Sequence, residues 1–298
     1  MAHIAFLGVG AMGLGMAANL AKSGQRVVAY DPVPASLERA QAVGCETASS
    51  AVEAVTGADA IITMLPTGSH VRAVYAEAVL PHAPKGALAI DCSTIDVETA
   101  REVAAQAAAA GLRPADAPVS GGVGGAEAGT LTFMVGCDEA LFATLQQQLS
   151  PMARAVVHAG GPGAGQAAKI CNNMVLAISM LGVGEAFALA EKLELAPDKF
   201  FEIASQSSGQ CWSLTSYCPW PGFVPAAPSN RGYEGGFLTS LMLKDLKLAQ
   251  EAAAKSGAAT PLGAQAEALY ALFDRLGYGR KDFSAVLQLM RGRLDELG

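Results

Sequence analysis

The sequence of 298 residues contains few charged side chains, and this scarcity narrows the classes of function. Only 16% of the residues are Asp, Glu, Lys or Arg, and 20 basic residues stand against 27 acidic ones. Lysine and arginine form no cluster along the chain. A protein that binds a nucleic-acid backbone needs such a basic surface, so we predict no nucleic-acid partner.

The sequence also lacks paired cysteines and long apolar runs. Its six cysteines include no Cys-x-x-Cys pair, and its four histidines show no ligand spacing, which favours reduced thiols without a metal site. The longest charge-free apolar run, residues 174–184, is well short of the roughly 20 residues that a membrane span needs. A strand-like segment begins at His3 and leaves no room for a targeting peptide. We therefore predict a cytoplasmic protein with no membrane partner.

Length and pattern together predict two domains. A chain of this length, with 51% hydrophobic residues, exceeds what one core usually serves. Strand-like and helical segments alternate up to residue 162, which predicts an α/β Rossmann-type domain (1–162) with a doubly wound, mostly parallel sheet. From residue 163 the pattern is helical, so residues 163–298 are predicted to form an all-helical substrate and dimerisation domain that opens with a long interdomain helix, about 165–193.

A glycine-rich turn follows the first predicted strand, His3–Leu7. It reads Gly8-Val-Gly10-Ala11-Met12-Gly13 and leads into a helical stretch. In a dinucleotide-binding turn the first glycine permits the tight bend, the second lets the pyrophosphate approach, and the third allows close helix packing. The phosphates then face the free N–H groups at the helix start. Gly8, Gly10, Ala11, Met12 and Gly13 are therefore predicted to bind cofactor.

An acidic residue ends the second predicted strand and indicates which dinucleotide binds. Asp31 follows Arg26–Tyr30 and is placed to accept from the ribose hydroxyls, whereas it would repel the 2′-phosphate of NADP. The alternative is an ordinary turn aspartate before Pro32. We predict NAD as the cofactor, since Arg26 lies too early in its strand to bind that phosphate.

Three further segments follow predicted strands. Leu65-Pro66 and Thr94 come after the third and fourth strands, and a loop follows Asp116. Ligands of doubly wound sheets bind beyond the carboxyl ends of the strands, so these segments should share a crevice with the glycine turn. The loop, residues 116–125, has no helical period after it, and its Ser120 hydroxyl and glycine N–H groups suit a small carboxylate. A flexible solvent-facing loop is an equal alternative.

The segment Gly163-Ala-Gly-Gln-Ala-Ala-Lys169-Ile-Cys-Asn-Asn173 is the strongest candidate for catalysis. In one helix Lys169 and Asn173 lie one turn apart on the same face. A lysine that transfers a proton, beside a carboxamide that orients a polar substrate, fits that pair. The alternative is a surface lysine and a cap-like asparagine.

Residues 209–236 form a long segment without periodicity. It contains several prolines and aromatic residues, among them Trp212 and Tyr217. Such a loop suits a wall or lid over a small substrate, and a structural or subunit-contact loop is nearly as well supported. Lys244-Asp245 follows in an amphipathic stretch, for which a surface salt-bridge helix is the alternative.

These motifs together resemble the β-hydroxyacid dehydrogenase family, and within it the 3-hydroxyisobutyrate dehydrogenase branch. The resemblance rests on residues 4–13, Asp91-Cys-Ser-Thr94, 116–122, 163–173 and Lys244-Asp-Leu246, and it covers the whole chain. Residues 209–213, 219–222 and 277–284 resemble that branch in particular. One departure is Cys218, where the branch usually carries asparagine. This departure leaves the preferred hydroxy acid open.

The resemblance implies NAD-dependent oxidation of 3-hydroxyisobutyrate to methylmalonate semialdehyde, a step of valine catabolism. A homodimer or homotetramer is predicted from the residues themselves, because the apolar helix 174–184 and the helical second half have more nonpolar surface than one small domain easily buries. The resemblance also implies Lys169 as the catalytic residue. The implied substrate-binding residues are Ser120, Gly121, Gly122 and Asn173, with Trp212 and Tyr217 from the aromatic segment, and the implied cofactor contacts are Leu65, Pro66, Thr94 and Lys244. The alternatives are an L-serine or other β-hydroxyacid dehydrogenase, a semialdehyde reductase, and a non-catalytic dinucleotide-binding interaction protein.

Overall fold

A nine-stranded sheet forms the centre of the first of two units in the computed structural model, which describes residues 2–297. The division between the units falls between Lys169 and Ile170, seven residues after the predicted boundary. In chain order the strands are β1 (His3–Leu7), β2 (Arg26–Tyr30), β3 (Glu46–Thr47), β4 (Ala60–Thr63), β5 (Leu88–Asp91), β6 (Arg113–Asp116), β7 (Val119–Ser120), β8 (Leu131–Gly136) and β9 (Ala153–Gly160).

The strand order confirms the predicted doubly wound, mostly parallel sheet. The order is β3-β2-β1-β4-β5-β6-β8-β7, with β9 on β8. Strands β1 to β6 are parallel, whereas β8 runs antiparallel to β6 and β7. Apolar side chains cover both faces, with Phe6 in one core cluster and Leu7 in the other. Burial on both faces explains why β1 and β4 are almost continuously hydrophobic.

The helices of the first unit lie between these strands. They are α1 (Ala11–Lys22), α2 (Pro34–Ala42), α3 (Ala51–Val55), α4 (Gly68–Val74), α5 (Leu80–His82), α6 (Val97–Ala109), α7 (Gly122–Ala128) and α8 (Glu139–Leu149). Asp96 caps α6, because its carboxylate accepts from the N–H of Thr99 at 2.8 Å. A capping box at the start of α3 is only half formed: the Ser50 hydroxyl accepts from Glu53 N–H, but the Glu53 carboxylate binds Ser49.

Helix α7 corrects the prediction that no helix follows the second glycine-rich loop. Glycine disfavours a helix by roughly 1 kcal/mol per residue relative to alanine, so the sequence Gly-Val-Gly-Gly predicts irregular structure. Packing outweighs that preference here. A Cβ on Gly15 of α1 would lie 2.8 Å from the Ala126 carbonyl carbon, and Asn19 donates to the Ala126 carbonyl oxygen at 2.7 Å. The small residues allow the two helices to meet at close range.

Helices are the regular secondary structure of the second unit among the described residues, as predicted. The long helix α9 (Ala164–Lys192) begins in the first unit and continues into the second. It is followed by α10 (Pro197–Ala204), α11 (Trp212–Thr215), α12 (Thr239–Ser256), α13 (Pro261–Phe273) and α14 (Val286–Arg291). The pattern of residues 283–297 by itself predicts one helix, and this prediction is wrong. Helix α14 ends at Gly292, which has a φ of 69°.

Helix α9 is long and apolar enough to cross a membrane by length and composition alone. In its most apolar window, 44% of the residues are buried within the protein. Ala177 and Met180 lie in one core cluster of the second unit and Phe187 in another. We interpret α9 as the core helix of that unit.

Candidate active site

The carboxyl ends of the parallel strands form one row across the first unit. Leu7 pairs with Thr63, Thr63 with Asp91, and Asp91 with Asp116. Each predicted cofactor or substrate segment of this unit follows one of these strands. The structure therefore places the glycine turn, Leu65-Pro66, Thr94 and the Ser120 segment at the same edge of the sheet.

The glycine turn has the close contacts that its sequence predicts. Gly8 adopts a φ of +95°, and a side chain there would collide with the carbonyl oxygen of Met64. A side chain on Gly13 would collide with the carbonyl oxygen of Gly8. At Gly10, by contrast, no atom of residues 2–297 other than those of the glycine and its two chain neighbours lies within 4 Å of where a Cβ would be. Gly10 thus leaves room for a phosphate beside the start of α1, whose first residues are Ala11 and Met12.

Asp31 lies beside this turn and is held by backbone N–H groups. Its carboxylate accepts from Val9 at 3.0 Å and from Val33 at 2.9 Å. These bonds fix the carboxylate at the end of β2, where the ribose of a dinucleotide would bind. Arg26 forms a bidentate pair with Glu46, with a shortest separation of 2.7 Å, so its guanidinium is already engaged.

The segments after β4 and β5 are joined by a buried polar network. The Asp91 carboxylate accepts from the hydroxyls of Thr63 (2.7 Å) and Ser93 (2.6 Å), and Ser93 in turn accepts from the Leu65 N–H at 2.8 Å. Burial raises the pKa of Asp91 to about 6, although these hydrogen bonds oppose the shift. The network fixes Leu65 relative to Thr94, the residue after Ser93.

Ser120 and the two glycines after it lie where a strand becomes a helix. Ser120 pairs with Thr132 on β8, and Gly121 caps α7. Gly121 and Gly122 adopt φ values of +139° and +63°. Side chains rarely tolerate such conformations, which explains the two glycines. Strand pairing lies on one side of the turn and helix packing on the other, which favours a fixed turn over the flexible-loop alternative.

The start of α9 is bound to the carboxyl edge of the sheet. The buried Asp116 carboxylate accepts from the N–H groups of Gly163 (2.6 Å) and Gln166 (2.8 Å). The Gln166 side chain binds the backbone on both sides of Thr94. Lys169 follows one turn later and is only 7% exposed, which rules out the surface-lysine alternative. Sequence reasoning missed Gln166, and the only local signal was a single polar side chain among small residues.

Asn173 lies one turn beyond Lys169 on α9 and is bound by a carboxylate of its own unit. Its amide donates to Asp245 Oδ2 at 2.5 Å, and Asp245 Oδ1 lies 3.5 Å from Lys244 Nζ. Asp245 is 2% exposed, so α12 is not a surface salt-bridge helix at this position. An ionised carboxylate can only accept hydrogen bonds, so Asp245 must face the NH₂ group of the Asn173 amide. Asp245 thereby fixes the orientation of that amide. Sequence reasoning did not assign it this role.

The aromatic segment of the second unit is ordered. Tyr217 donates its hydroxyl to the buried carboxylate of Asp282 at 2.7 Å, and burial raises the pKa of Tyr217 well above its usual value. Its ring stacks between Trp212 and Phe283. Trp212 is 51% exposed, so it offers an indole face, whereas Tyr217 has its hydroxyl already engaged.

Cys218, the departure from the branch pattern, is fully buried. It lies in an apolar cluster with Phe187, Leu214 and Leu287, and burial raises the pKa of its thiol to about 12. At this position the chain therefore has a packing residue rather than a polar contact.

Comparison with known proteins gives a consistent result along the whole chain. Residues 3–161 match the family described as the NAD binding domain of 6-phosphogluconate dehydrogenase. Residues 163–290 match a second family, described as NAD-binding of NADP-dependent 3-hydroxyisobutyrate dehydrogenase. A probable 3-hydroxyisobutyrate dehydrogenase of Mycobacterium tuberculosis is 49% identical over 99% of this chain and 100% of its own length.

Two further proteins are similar over nearly their full lengths. An NAD-dependent L-serine dehydrogenase of Pseudomonas aeruginosa is 46% identical over 97% of this chain and 98% of its own. The solved structure of 3-hydroxyisobutyrate dehydrogenase from Mycobacterium tuberculosis with L-serine is 48% identical. It covers 98% of this chain and 100% of its own, with a TM-score of 0.94.

Proposed function

Because the chain belongs to the β-hydroxyacid dehydrogenase family, in its 3-hydroxyisobutyrate dehydrogenase branch, we propose that it oxidises 3-hydroxyisobutyrate to methylmalonate semialdehyde with NAD⁺. The observation that carries this proposal is the position of Lys169. It lies buried on the first turns of a helix whose start is bound to the carboxyl edge of the dinucleotide-binding sheet.

The residues at that edge fit an NAD molecule. Gly10 leaves space beside the free N–H groups of α1, and Asp31 presents a carboxylate to the ribose. One family description names NADP, but a carboxylate at Asp31 disfavours a 2′-phosphate through charge repulsion. When bound, NAD⁺ accepts the hydride from the carbon that bears the substrate hydroxyl.

The residues of this chain hold the substrate and move its proton. The Ser120 hydroxyl and the N–H groups of Gly121 and Gly122 bind the carboxylate. Lys169 Nζ accepts the hydroxyl proton during oxidation and returns it during reduction. Lys169 must be neutral to accept that proton. Asn173, one turn away on the same helix, hydrogen-bonds the hydroxyl and thereby orients it.

The remaining contacts follow the family pattern. We propose that Leu65, Pro66, Thr94 and Lys244 contact the cofactor. Trp212 contributes its exposed face to the substrate. Tyr217 acts through its ring and through the support that it gives to Trp212.

L-Serine is the second candidate substrate. It carries the same carboxylate and β-hydroxyl as 3-hydroxyisobutyrate. The name of a relative that is 46% identical includes L-serine, and so does the description of a solved structure that is 48% identical. It differs by an ammonium group in place of a methyl group. Since Cys218 is buried in an apolar cluster, this position offers the ammonium no partner.

A substrate screen tests the proposal. NAD reduction would be followed with 3-hydroxyisobutyrate, L-serine, 3-hydroxypropionate and glycerate, and the expected order places 3-hydroxyisobutyrate first in kcat/KM. Turnover of L-serine alone would support the second candidate. If none of the four acids were oxidised, the non-catalytic alternative would be favoured.

We further propose a cytoplasmic homodimer or homotetramer that acts in valine catabolism. Three large apolar side chains near the middle and end of α9 are 60–70% exposed in the single chain: Val175, Leu189 and Leu193. Exposed apolar side chains are a common feature of subunit interfaces. Light scattering at micromolar concentration should give at least twice the mass of one chain, and a monomeric mass would exclude this assembly.

A further inference from the structure

The carboxamide of Gln166 bridges two backbone groups that flank Thr94. Its Nε2 donates to the carbonyl oxygen of Ser93 at 2.7 Å, and its Oε1 accepts from the N–H of Ile95 at 3.1 Å. Both bonds are buried, and Gln166 itself is 0% exposed. Thr94 is therefore held on both sides by one side chain.

Gln166 also belongs to the helical turn that precedes Lys169. Residues three apart on a helix are neighbours on one face, so the side chains of Gln166 and Lys169 project from the same face of α9. The same side chain that fixes the Thr94 segment is thus joined rigidly, through one helical turn, to the lysine. All of these residues belong to the first unit.

We propose that Gln166 is a positioning residue of the reaction, which sets the proton-transfer lysine, Lys169, at a fixed place relative to the cofactor segment at Thr94. The inference rests on the proposed dehydrogenase function. Gln166 touches neither substrate nor cofactor in this proposal and acts through the two segments that it joins. Effective alignment of reacting groups depends on fractions of an ångström, and a misplacement of about 1 Å can cost 10²-fold in rate.

Only a carboxamide of this length serves both bonds. A methionine fills a similar volume but neither donates to Ser93 nor accepts from Ile95. An asparagine keeps both functions but is one methylene shorter, so it reaches only one of the two groups. An ionised glutamate cannot donate to the Ser93 carbonyl.

The helix start has an anchor that does not depend on this side chain. Asp116 binds the backbone N–H groups of Gly163 and Gln166, and neither bond involves the Gln166 side chain. Substitution of Gln166 should therefore leave α9 folded and attached, while it loosens the link to the Thr94 segment. This separation makes the positioning role measurable.

The test compares Gln166→Met and Gln166→Asn with the surface control Gln106→Met, since Gln106 is exposed on α6. With NAD and the best acid of the screen, Gln166→Met should lower kcat roughly 10- to 100-fold. The KM for the acid should change less than threefold, and Gln166→Asn should be intermediate. The isotope effect from deuterium on the carbinol carbon should rise, because a misaligned hydride transfer becomes rate-limiting. Gln106→Met should match the wild type in all three quantities.

One result would overturn the inference. It is a Gln166→Met variant with wild-type kcat and isotope effect and only a lower melting temperature, which would make Gln166 a purely structural residue. If that variant does not fold, the same outcome for Gln166→Asn has the same meaning. Failure of the proposed function is distinguishable, since the wild-type enzyme itself would then oxidise none of the acids.

Discussion

The two glycine-rich turns at the edge of the sheet differ in what makes glycine necessary. Both follow a strand and open a helix, and their helices α1 and α7 pack together. In the first turn, side chains at Gly8 and Gly13 would collide with backbone carbonyl oxygens of the protein itself. In the second, Gly122 needs its positive φ, but no described atom beyond its chain neighbours and the nearby backbone of its own helix lies within 4 Å of where its Cβ would be.

This difference shows how two similar compositions serve two ligands. In the first turn, backbone atoms pack against Gly8 and Gly13, and among the three glycines only Gly10 has open space beside it, as a pyrophosphate requires. The second turn is shaped by backbone conformation, with open space beside Gly122 and Gly124. We expect it to offer N–H groups to a small carboxylate. The same glycine-to-alanine substitution should therefore have different effects on stability and NAD affinity in the two turns.

The largest difference is expected between Gly13→Ala and Gly124→Ala. A Cβ at Gly13 would force the Gly8 carbonyl to move, and overpacking of this kind usually costs about 1–3 kcal/mol. The variant should melt several degrees lower and bind NAD more than tenfold more weakly. Gly124→Ala should leave NAD affinity unchanged and gain up to about 1 kcal/mol from helix propensity. Calorimetry would measure the melting temperatures of the two variants, and titration would measure their affinities for NAD. Equal changes in the two variants would contradict the proposed difference between the turns.

Cofactor choice tests the first turn alone. NAD should be preferred over NADP by at least about tenfold in kcat/KM, since repulsion by Asp31 and a lost ribose bond together exceed ~1.4 kcal/mol. Asp31→Ser should reduce that preference. Steady-state kinetics with both cofactors would check this, and equal use of both by the wild type would contradict the role of Asp31.

The smallest effect is expected at the second turn. Ser120→Ala removes one hydrogen bond to the carboxylate, worth about 1 kcal/mol, so the KM for the acid should rise about fivefold. The kcat should change less, because the contact persists from ground state to transition state. NAD affinity serves as the control and should stay constant. An unaltered KM would mean that the carboxylate binds elsewhere.

Local patterns predicted much of this fold. The bounds of β1 and β2 follow from short apolar runs between turn residues. Helix α7 was missed, because its stability comes from α1, more than 100 residues away in sequence. Propensity within the loop contains no information about that packing.

The residues of the candidate site could likewise be predicted from the sequence only in part. The spacing of Lys169 and Asn173 on one helix face can be read from sequence, because helical geometry is local. The partners that hold this helix cannot be read in this way. Gln166 binds Ser93 across 73 positions, and Asn173 binds Asp245 across 72. The burial of Cys218 also depends on residues from distant helices.

The most direct test of the account is the turnover of Lys169→Ala. If Lys169 transfers the proton, kcat should fall roughly 10²- to 10⁴-fold while NAD binding survives. Lys169→Arg should fail nearly as badly, since a guanidinium stays protonated and cannot accept a proton. The acid limb of the oxidation profile, which reflects loss of the lysine proton, should disappear in both variants. Near-normal turnover by Lys169→Ala would contradict the assignment of Lys169 and the catalytic function built on it.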